Sequence, residues 1–273
     1  MYNYGKEYQL IQAEKYRNRF NNHWKTRIGL AFDLVDQYVC IPNTDNFEIT
    51  VADIGCSIGT FAIEFAKKGY NTFGIDFDKE ALKIAEQLAN EERINTSFLC
   101  GDIADKSLNI PAIDIAICFD IFEHLHDDEL GSLLSSIRAR LKNNGSIVFH
   151  TCPTKYDYIF RGPSFLRYPL ELFNLLPNSV FKRIIKIYSY LIDIVLLLKK
   201  GKTYSEMIEK SAHCNPTTKE QLEKIFRRAG YEIVHIETST LYEHEPPIFM
   251  RFAKHPESHR NIFGVAVSML KHE

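Results

Sequence analysis

Several features that would narrow the field are missing from this sequence. No two of its six cysteines (Cys40, Cys56, Cys100, Cys118, Cys152 and Cys214) form a C-x-x-C pair. That speaks against the usual zinc and redox motifs and leaves scattered thiols that read as reduced and buried. Charge of either sign is not in excess: 33 Lys/Arg against 35 Asp/Glu give a net −2. With no long basic run and no RNA- or DNA-binding fingerprint, nucleic acid is not an expected partner. The start, MYNYGKEYQL, lacks the basic-then-apolar pattern of a secretory signal, so a cytoplasmic protein is expected. Internal repeats and low-complexity tracts are absent as well. What is present is ordinary for a globular chain: 273 residues, 45% hydrophobic and 25% charged, enough for one large or two small domains with a sizeable core.

Apolar periodicity divides the chain. Residues 5–40 read as two amphipathic helices separated near Asn21-Asn22-His23 and closed by Pro42-Asn43-Thr44-Asp45-Asn46. Such a pair either covers a sheet edge or folds over a ligand mouth with Tyr4, Trp24 or Arg27 facing in. From Phe47 strands and helices alternate. Strands are predicted at 47–54, 71–76, 96–100, 113–119 and 146–151, with helices at 60–68, 79–92 and 128–141 and a helix stop at Asn143-Asn144-Gly145. This rhythm predicts a parallel, doubly wound α/β sheet whose ligands gather at the carboxyl ends of the strands. Residues 153–212 break the rhythm. A helix at 218–229 then leads to strands at 231–237 and 263–270 with no helix between them, an antiparallel pair at one sheet edge. The loop that joins these two strands, with Pro246-Pro247, reads as irregular.

The pivot is Val51-Ala52-Asp53-Ile54-Gly55-Cys56-Ser57-Ile58-Gly59-Thr60-Phe61. A buried strand passes through a glycine turn into a helix, which exposes backbone N–H groups at a helix N-terminus and suits the close approach of a polar or anionic small molecule. It can be a plain tight turn. It can be a dinucleotide site, although Ser57 stands where G-x-G-x-x-G has its middle glycine. Thirdly, Asp-x-Gly-x-x-x-Gly resembles the first motif of class I S-adenosylmethionine (SAM) methyltransferases.

The stretches VADIGCSIGTF, FGIDFD, CGDIAD, IDIAICFDIFEHL and LKNNGSIVFHTCP follow in the order and spacing of that family. FDIFEHL is similar to the branch that contains ubiquinone-biosynthesis O-methyltransferases and many small-molecule methyltransferases. The resemblance covers residues 47–152 and, more loosely, 213–270. It implies a Rossmann-like seven-stranded sheet, mostly parallel with the last strand antiparallel. It divides the chain into an N-terminal helical cap (1–46), a SAM-binding core (47–152), an insertion or lid for the acceptor (153–212) and a completing segment (213–273).

Under that resemblance each strand end has a task. Asp53 can hold the methionine ammonium; Gly55, Cys56 and Gly59 let the backbone approach the methionine part. Asp76 can accept both ribose hydroxyls, and Phe77 can pack on the adenine or ribose. Asp102 can accept from the adenine amino group, Ile103 can flank the base, and Phe119 closes the pocket. Each acid also has a plainer reading, Asp76 or Asp78 as a helix cap and Asp102 as a turn residue. Asp120-Ile121-Phe122-Glu123-His124 matches the acid-x-x-Glu-His arrangement of the ubiquinone branch, with which a divalent cation is associated. His124 is the first candidate for a general base, assisted by Glu123, with His213 of the His213-Cys214-Asn215 stretch second. Asp120, Glu123 and His124 are candidate ligands for Mg²⁺. Alternatively Glu123-His124 orients the cofactor site or caps the next helix. His150 reads as a satisfied core histidine.

Residues 153–212 hold ten Lys/Arg and five Asp/Glu within a chain of net −2. Val180 to Leu198 is apolar but interrupted by Lys182, Arg183, Lys186 and Asp193, too charged for a span. It can be a lid over the acceptor, a homodimer surface, or a peripheral helix on anionic lipid. The basic excess suggests an anionic acceptor touched by Arg161, Arg167, Tyr156 or Tyr158. The expected function is methylation of a small-molecule hydroxyl, on a sugar nucleotide, quinone precursor or other secondary metabolite. N- or C-methylation and a SAM-binding protein without activity are the rival readings.

Overall fold

The computed structural model describes residues 5–21, 23–40, 45–105, 107–239, 248 and 251–269. Tyr4, Asn22, the 42–44 turn and Pro246-Pro247 lie outside them. Strands form where β-branched and aromatic residues run between glycine or polar turns. They are β1 (Thr50–Ile54), β2 (Asn71–Asp76), β3 (Ser97–Cys100), β4 (Ile113–Phe119), β5 (Leu141–Thr151), β6 (Tyr231–Ser239) and β7 (Asn261–Ser268). They build one seven-stranded sheet in the order β3-β2-β1-β4-β5-β7-β6. β1 to β5 are mutually parallel, and β7 runs antiparallel to both β5 and β6. The expected antiparallel pair therefore sits at one edge, with the last strand in chain order inserted inside it.

The helices are α1 (Gly5–Arg17), α2 (His23–Tyr38), α3 (Thr60–Lys67), α4 (Lys79–Glu91), α5 (Asp127–Arg140), α6 (Asp157–Phe160), α7 (Ser164–Glu171), α8 (Asn178–Lys200), α9 (Tyr204–Ile208) and α10 (Lys219–Arg228). Local chemistry sets their starts. The Asp78 side chain accepts from Glu80 N and Ala81 N to cap α4, and Thr218 accepts from Gln221 N to cap α10. Alternation along β4 sends Ala116 and Cys118 to a core with Leu130, Leu134 and Phe226 of α5 and α10. Ile115, Ile117 and Phe119 go to the opposite core, with Trp24, Ala31 and Leu34 of α2 and Phe61 and Phe65 of α3. α1 is fastened over α3 and α4 by Ala13 and Tyr16 and by a charge network. Tyr16 Oη donates to Glu64 at 2.6 Å, Arg19 meets Glu64 at 3.0 Å and Glu92 at 2.8 Å, and Lys67 reaches both acids.

Two boundaries differ from the periodicity. Residues Asn46–Glu48 form a single 3-10 turn, and β1 starts at Thr50. Phe47 is exposed, and Asn46 Nδ2 donates to Lys68 O at 2.9 Å, so this piece is tied to the end of α3 instead of the sheet. Asn143-Asn144-Gly145 is no helix stop. α5 ends at Arg140, Leu141 already pairs with Ile113, and the three polar residues bulge out before pairing resumes at Ser146 with Ile115. Asn144 takes the left-handed conformation (φ 63°) that such a bulge needs.

Candidate active site

A cavity of about 860 Å³ lies at the carboxyl ends of the parallel strands, a size suited to a small-molecule site. Asp53, Asp76 and Asp102 border it from the ends of β1, β2 and β3, as do Phe119, Asp120 and Cys152 from β4 and β5. Its cover comes from the N-terminal helices, through Tyr8, Gln9 and Gln12 of α1 and His23, Trp24 and Arg27 of α2. No residue of 153–212 is among those that line it. Of the four side chains expected to touch an acceptor there, Arg161 pairs with Asp157 at 2.9 Å and Arg167 donates to Phe160 O at 2.7 Å. Tyr158 stacks on Tyr204, and Tyr156 packs against the insertion's own core. The insertion is held together by these residues.

The glycine turn behaves differently from an anion cradle. Gly55 N and Cys56 N both donate to Ile75 O, at 2.9 and 3.0 Å, and Gly59 N donates to Cys56 O at 2.7 Å. Ser57 N donates to Asp76 Oδ2 at 2.7 Å, and Ala62 N to Asp53 Oδ2 at 3.0 Å. The N–H groups of Gly55, Cys56, Ser57, Gly59 and Ala62 are thus taken by the protein's own acceptors, most of them on β1 and β2. An incoming pyrophosphate would meet two acids; a cation would meet them favourably. Asp53 is 2% exposed and has no basic side chain beside it; burial pushes its carboxyl up to about 7. Thr60 Oγ1, at the start of α3 and also bordering the cavity, is buried with no hydrogen-bond partner among the described residues. A buried acid and a buried hydroxyl beside the cavity suit the ammonium and the ribose hydroxyls of SAM.

The plainer readings of the acids separate cleanly. Asp78 is the cap of α4, which leaves Asp76 facing the cavity, its other oxygen accepting from Asp78 N at 2.8 Å. Burial raises the Asp76 carboxyl. Asp102 closes a turn by accepting from Ala104 N at 2.8 Å and still borders the cavity beside the buried Ile103. Phe77 is half exposed at the rim, and Phe119 is buried edge-to-face on Phe61 at 4.6 Å. Cys56 packs its sulfur under β2, where a Cβ on Gly74 would lie 2.6 Å from it.

Past β4 the chain makes a 3-10 turn, Phe122–His124. His124 Nδ1 lies 2.5 Å from Ala212 O, an acceptor only, so Nδ1 carries a proton and, in the neutral ring, Nε2 carries the lone pair. The 212–215 stretch is latched here. Asn215 N donates to Glu123 O at 3.1 Å, and Asn215 Nδ2 donates to Leu125 O at 2.7 Å. That brings His213 to the cavity, its ring 5.1 Å from that of His124. Glu123 is 1% exposed and accepts from Thr151 Oγ1 at 2.7 Å; burial, and next the charge of Asp120, push it up to about 8.

Asp120 leaves the strand at φ 56°, which turns it toward β5 and α2. Its Oδ1 meets His150 Nδ1 at 2.7 Å and its Oδ2 meets Arg27 Nη1 at 2.5 Å. Arg27 and His150 hold it well below the usual carboxylate range despite its burial. His150, bonded also to Asn261 Oδ1 at 3.1 Å, is the satisfied core histidine expected of it. Among the described residues, one group that could hold an ion is Glu123, His124 and His213, and a second is Asp120, His150 and Cys152. The motif-based trio of Asp120, Glu123 and His124 is thus divided between them. One carboxylate with two imidazoles does not suit Mg²⁺, which takes oxygen ligands.

The sequence passed over Tyr8, Gln9, Gln12, Thr151 and Arg260. Gln9 bridges the cofactor side, with Nε2 3.3 Å from Asp78 Oδ2 and Oε1 2.9 Å from Ser57 Oγ. Tyr8 and Gln12 stand four residues apart on α1, a spacing that places them on one helix face but does not say what that face meets. Arg260 directly precedes β7, outside the motifs, and carried no signal.

Residues 51–145 match a protein family described as "Methyltransferase domain". The chain is 27% identical over 132 residues to a ubiquinone biosynthesis O-methyltransferase of Coxiella burnetii, covering 47% of this chain and 53% of that protein. It is 31% identical over 102 residues to phosphoethanolamine N-methyltransferase 1 of Zea mays, covering 37% and 20%. The chain thus spans about half the length of the ubiquinone-pathway relatives it matches. Among solved structures it is similar to geranyl diphosphate C-methyltransferase from Streptomyces coelicolor, with a TM-score of 0.56, 14% identity, and coverage of 88% of this chain and 80% of that one. These likenesses and the sheet order agree on the fold of the class I SAM-dependent methyltransferases.

Proposed function

We propose that this chain, built on the class I methyltransferase fold, transfers a methyl group from SAM to a hydroxyl of a small molecule that bears an anionic group. The observation that carries the cofactor half is the turn at Gly55 to Gly59, where Gly55, Cys56, Ser57 and Gly59 donate their N–H groups to the protein's own acceptors while the acids Asp53 and Asp76 border the cavity. SAM supplies an activated methyl group on a sulfonium. Asp53 holds the methionine ammonium and Asp76 accepts from the ribose hydroxyls. Asp102 and Ile103 bound the adenine, while Phe77 and Phe119 flank the remainder.

His124 Nε2 takes the acceptor's hydroxyl proton as the oxygen–carbon bond forms and the carbon–sulfur bond breaks. The leaving group departs as S-adenosylhomocysteine. Glu123, neutral when protonated, keeps a second negative charge away from the developing alkoxide, and His213 flanks it. Because displacement at a methyl group needs little covalent help, positioning and proton removal carry most of the catalytic effect. The relatives' names span O-, N- and C-methylation, so the preference for oxygen rests on the His124 tautomer.

The anionic acceptor rests on Arg260. Its exposed side chain borders the cavity near His213 and Cys152, on whose titration its charge acts, and Asp120 is already matched by Arg27. A screen of hydroxylated acceptors read by S-adenosylhomocysteine release tests this. Arg260→Gln should raise KM for carboxylated or phosphorylated acceptors about 10- to 100-fold, the value of one charge-assisted hydrogen bond. KM for neutral analogues should stay unchanged. Equal effects on both classes would remove the anion-reading role.

A further inference from the structure

The insertion carries a core of its own. Ile159, Phe160, Leu170, Phe181 and Ile185 pack with Phe252. α8 is fixed to this core by one side: Phe181, Ile185 and Ser189 are buried at a four-residue spacing. Its one acid, Asp193, accepts from Tyr204 N at 2.8 Å, and Tyr204 stacks on Tyr158 at 3.8 Å. The acid is therefore directed at the protein.

The other side of the same helix is apolar too, and no described residue covers it. Ile187, Tyr190, Leu191, Ile194, Val195 and Leu198 are between 36% and 83% exposed. Steps of three and one place them in a single stripe, about 17 Å long at the rise of an α-helix. Arg183 and Lys186, both exposed, border its beginning; Lys199 and Lys200 stand at its end, with Lys202 just beyond. A helix that merely faced water would carry polar groups here, and an apolar stripe of this length marks an interaction surface.

We propose that α8 is an interfacial helix that docks the protein onto an anionic lipid surface. No helix among the described residues is long and apolar enough to cross a membrane, so this one lies along the surface, its stripe in the acyl boundary and its cations among the headgroups. Charge favours lipid over a second copy of the chain. In an antiparallel two-fold pairing, Lys199 and Lys200 of one copy would face Arg183 and Lys186 of the other, four like charges with no acid to offset them. Phosphate headgroups neutralise the same cations.

Co-sedimentation of the full chain with vesicles tests the proposal, comparing phosphatidylcholine mixed with phosphatidylglycerol against phosphatidylcholine alone. Binding is expected to the anionic vesicles only. Each basic residue near the surface contributes roughly fivefold, so Lys199→Ala with Lys200→Ala should weaken binding about 25-fold. Leu191→Glu with Leu198→Glu should abolish it, while SAM affinity, read on the same preparation, shows that the variant is folded. Failure to bind anionic vesicles, equal binding to both kinds, or binding that survives the paired glutamates would each overturn the proposal. So would a solution dimer that the glutamates disperse and that ignores vesicles, an outcome that would give the stripe to a second copy.

Discussion

Exchange of His124 for glutamine is expected to slow methyl transfer by about 10²–10⁴-fold, the usual contribution of a positioned general base. SAM affinity should change by less than about twofold, since on this account the imidazole faces the acceptor and makes no cofactor contact. The effect depends on which ring nitrogen holds the proton. Ala212 O fixes Nδ1–H, and His124 borders the cavity with Nε2 4.0 Å from Glu123 Oε1. Glutamine keeps a donor for Ala212 O and removes the base, so the 212–215 latch should survive. A loss confined to kcat supports proton removal. A loss of SAM binding of similar size would instead mean that Glu123-His124 orients the cofactor site, and unchanged turnover would exclude His124 as the base.

Gly59→Ala should cost about 2–5 kcal/mol, the sum of a left-handed backbone forced on alanine and an overpacked contact. Gly59 sits at φ 76°, and a Cβ there would lie 2.4 Å from Phe98 Cε1, 2.7 Å from its Cζ and 3.0 Å from Ala85 Cβ. Phe98 lies on β3 and Ala85 on α4, so relief would require the sheet edge and a core helix to part. In a chain of this size such a loss lowers Tm by roughly 5–15 °C. The matched control is Gly29→Ala in α2, where nothing lies within 4 Å of the new Cβ and replacing a helical glycine gains about 0.5–1 kcal/mol. Calorimetric melting of the two variants should move in opposite directions. Equal shifts would contradict the close approach at Gly59.

The α/β alternation was legible because it depends on short-range periodicity, and the three acids because each stands directly after an apolar run. The left-handed turn of Asp120 was not. Its partners are His150, 30 residues away on the next strand, and Arg27 on a helix that precedes the sheet. The local spelling Asp120-x-x-Glu123-His124 suggested one cluster, and only tertiary pairing divides it. The role of the N-terminal helices was left between edge cover and ligand mouth, because apolar spacing shows that a face is buried but not against what. Trp24 serves both, packing on the sheet core and bordering the cavity, which Arg27 borders as well while paired with Asp120. The basic insertion illustrates the reverse. Its charge suggests contact with an anionic acceptor, and a lid is one of three readings of the segment, whereas the cavity is bordered by Arg27 and Arg260 from outside it. Composition records that a segment is basic, and the topology decides where that charge points.

The most direct test is calorimetric titration of the purified chain with SAM and, separately, with NADH. The account predicts one SAM site and no NADH site. It also predicts a pH dependence, because only ionised Asp53 attracts the methionine ammonium. With burial raising that carboxyl to about 7, SAM binding should tighten as pH rises from about 6 to 7.5, by at most about tenfold per pH unit, and then level off. Asp53→Asn should abolish that slope. Absence of SAM binding at sub-millimolar concentration, or NADH binding in its place, would contradict the central claim.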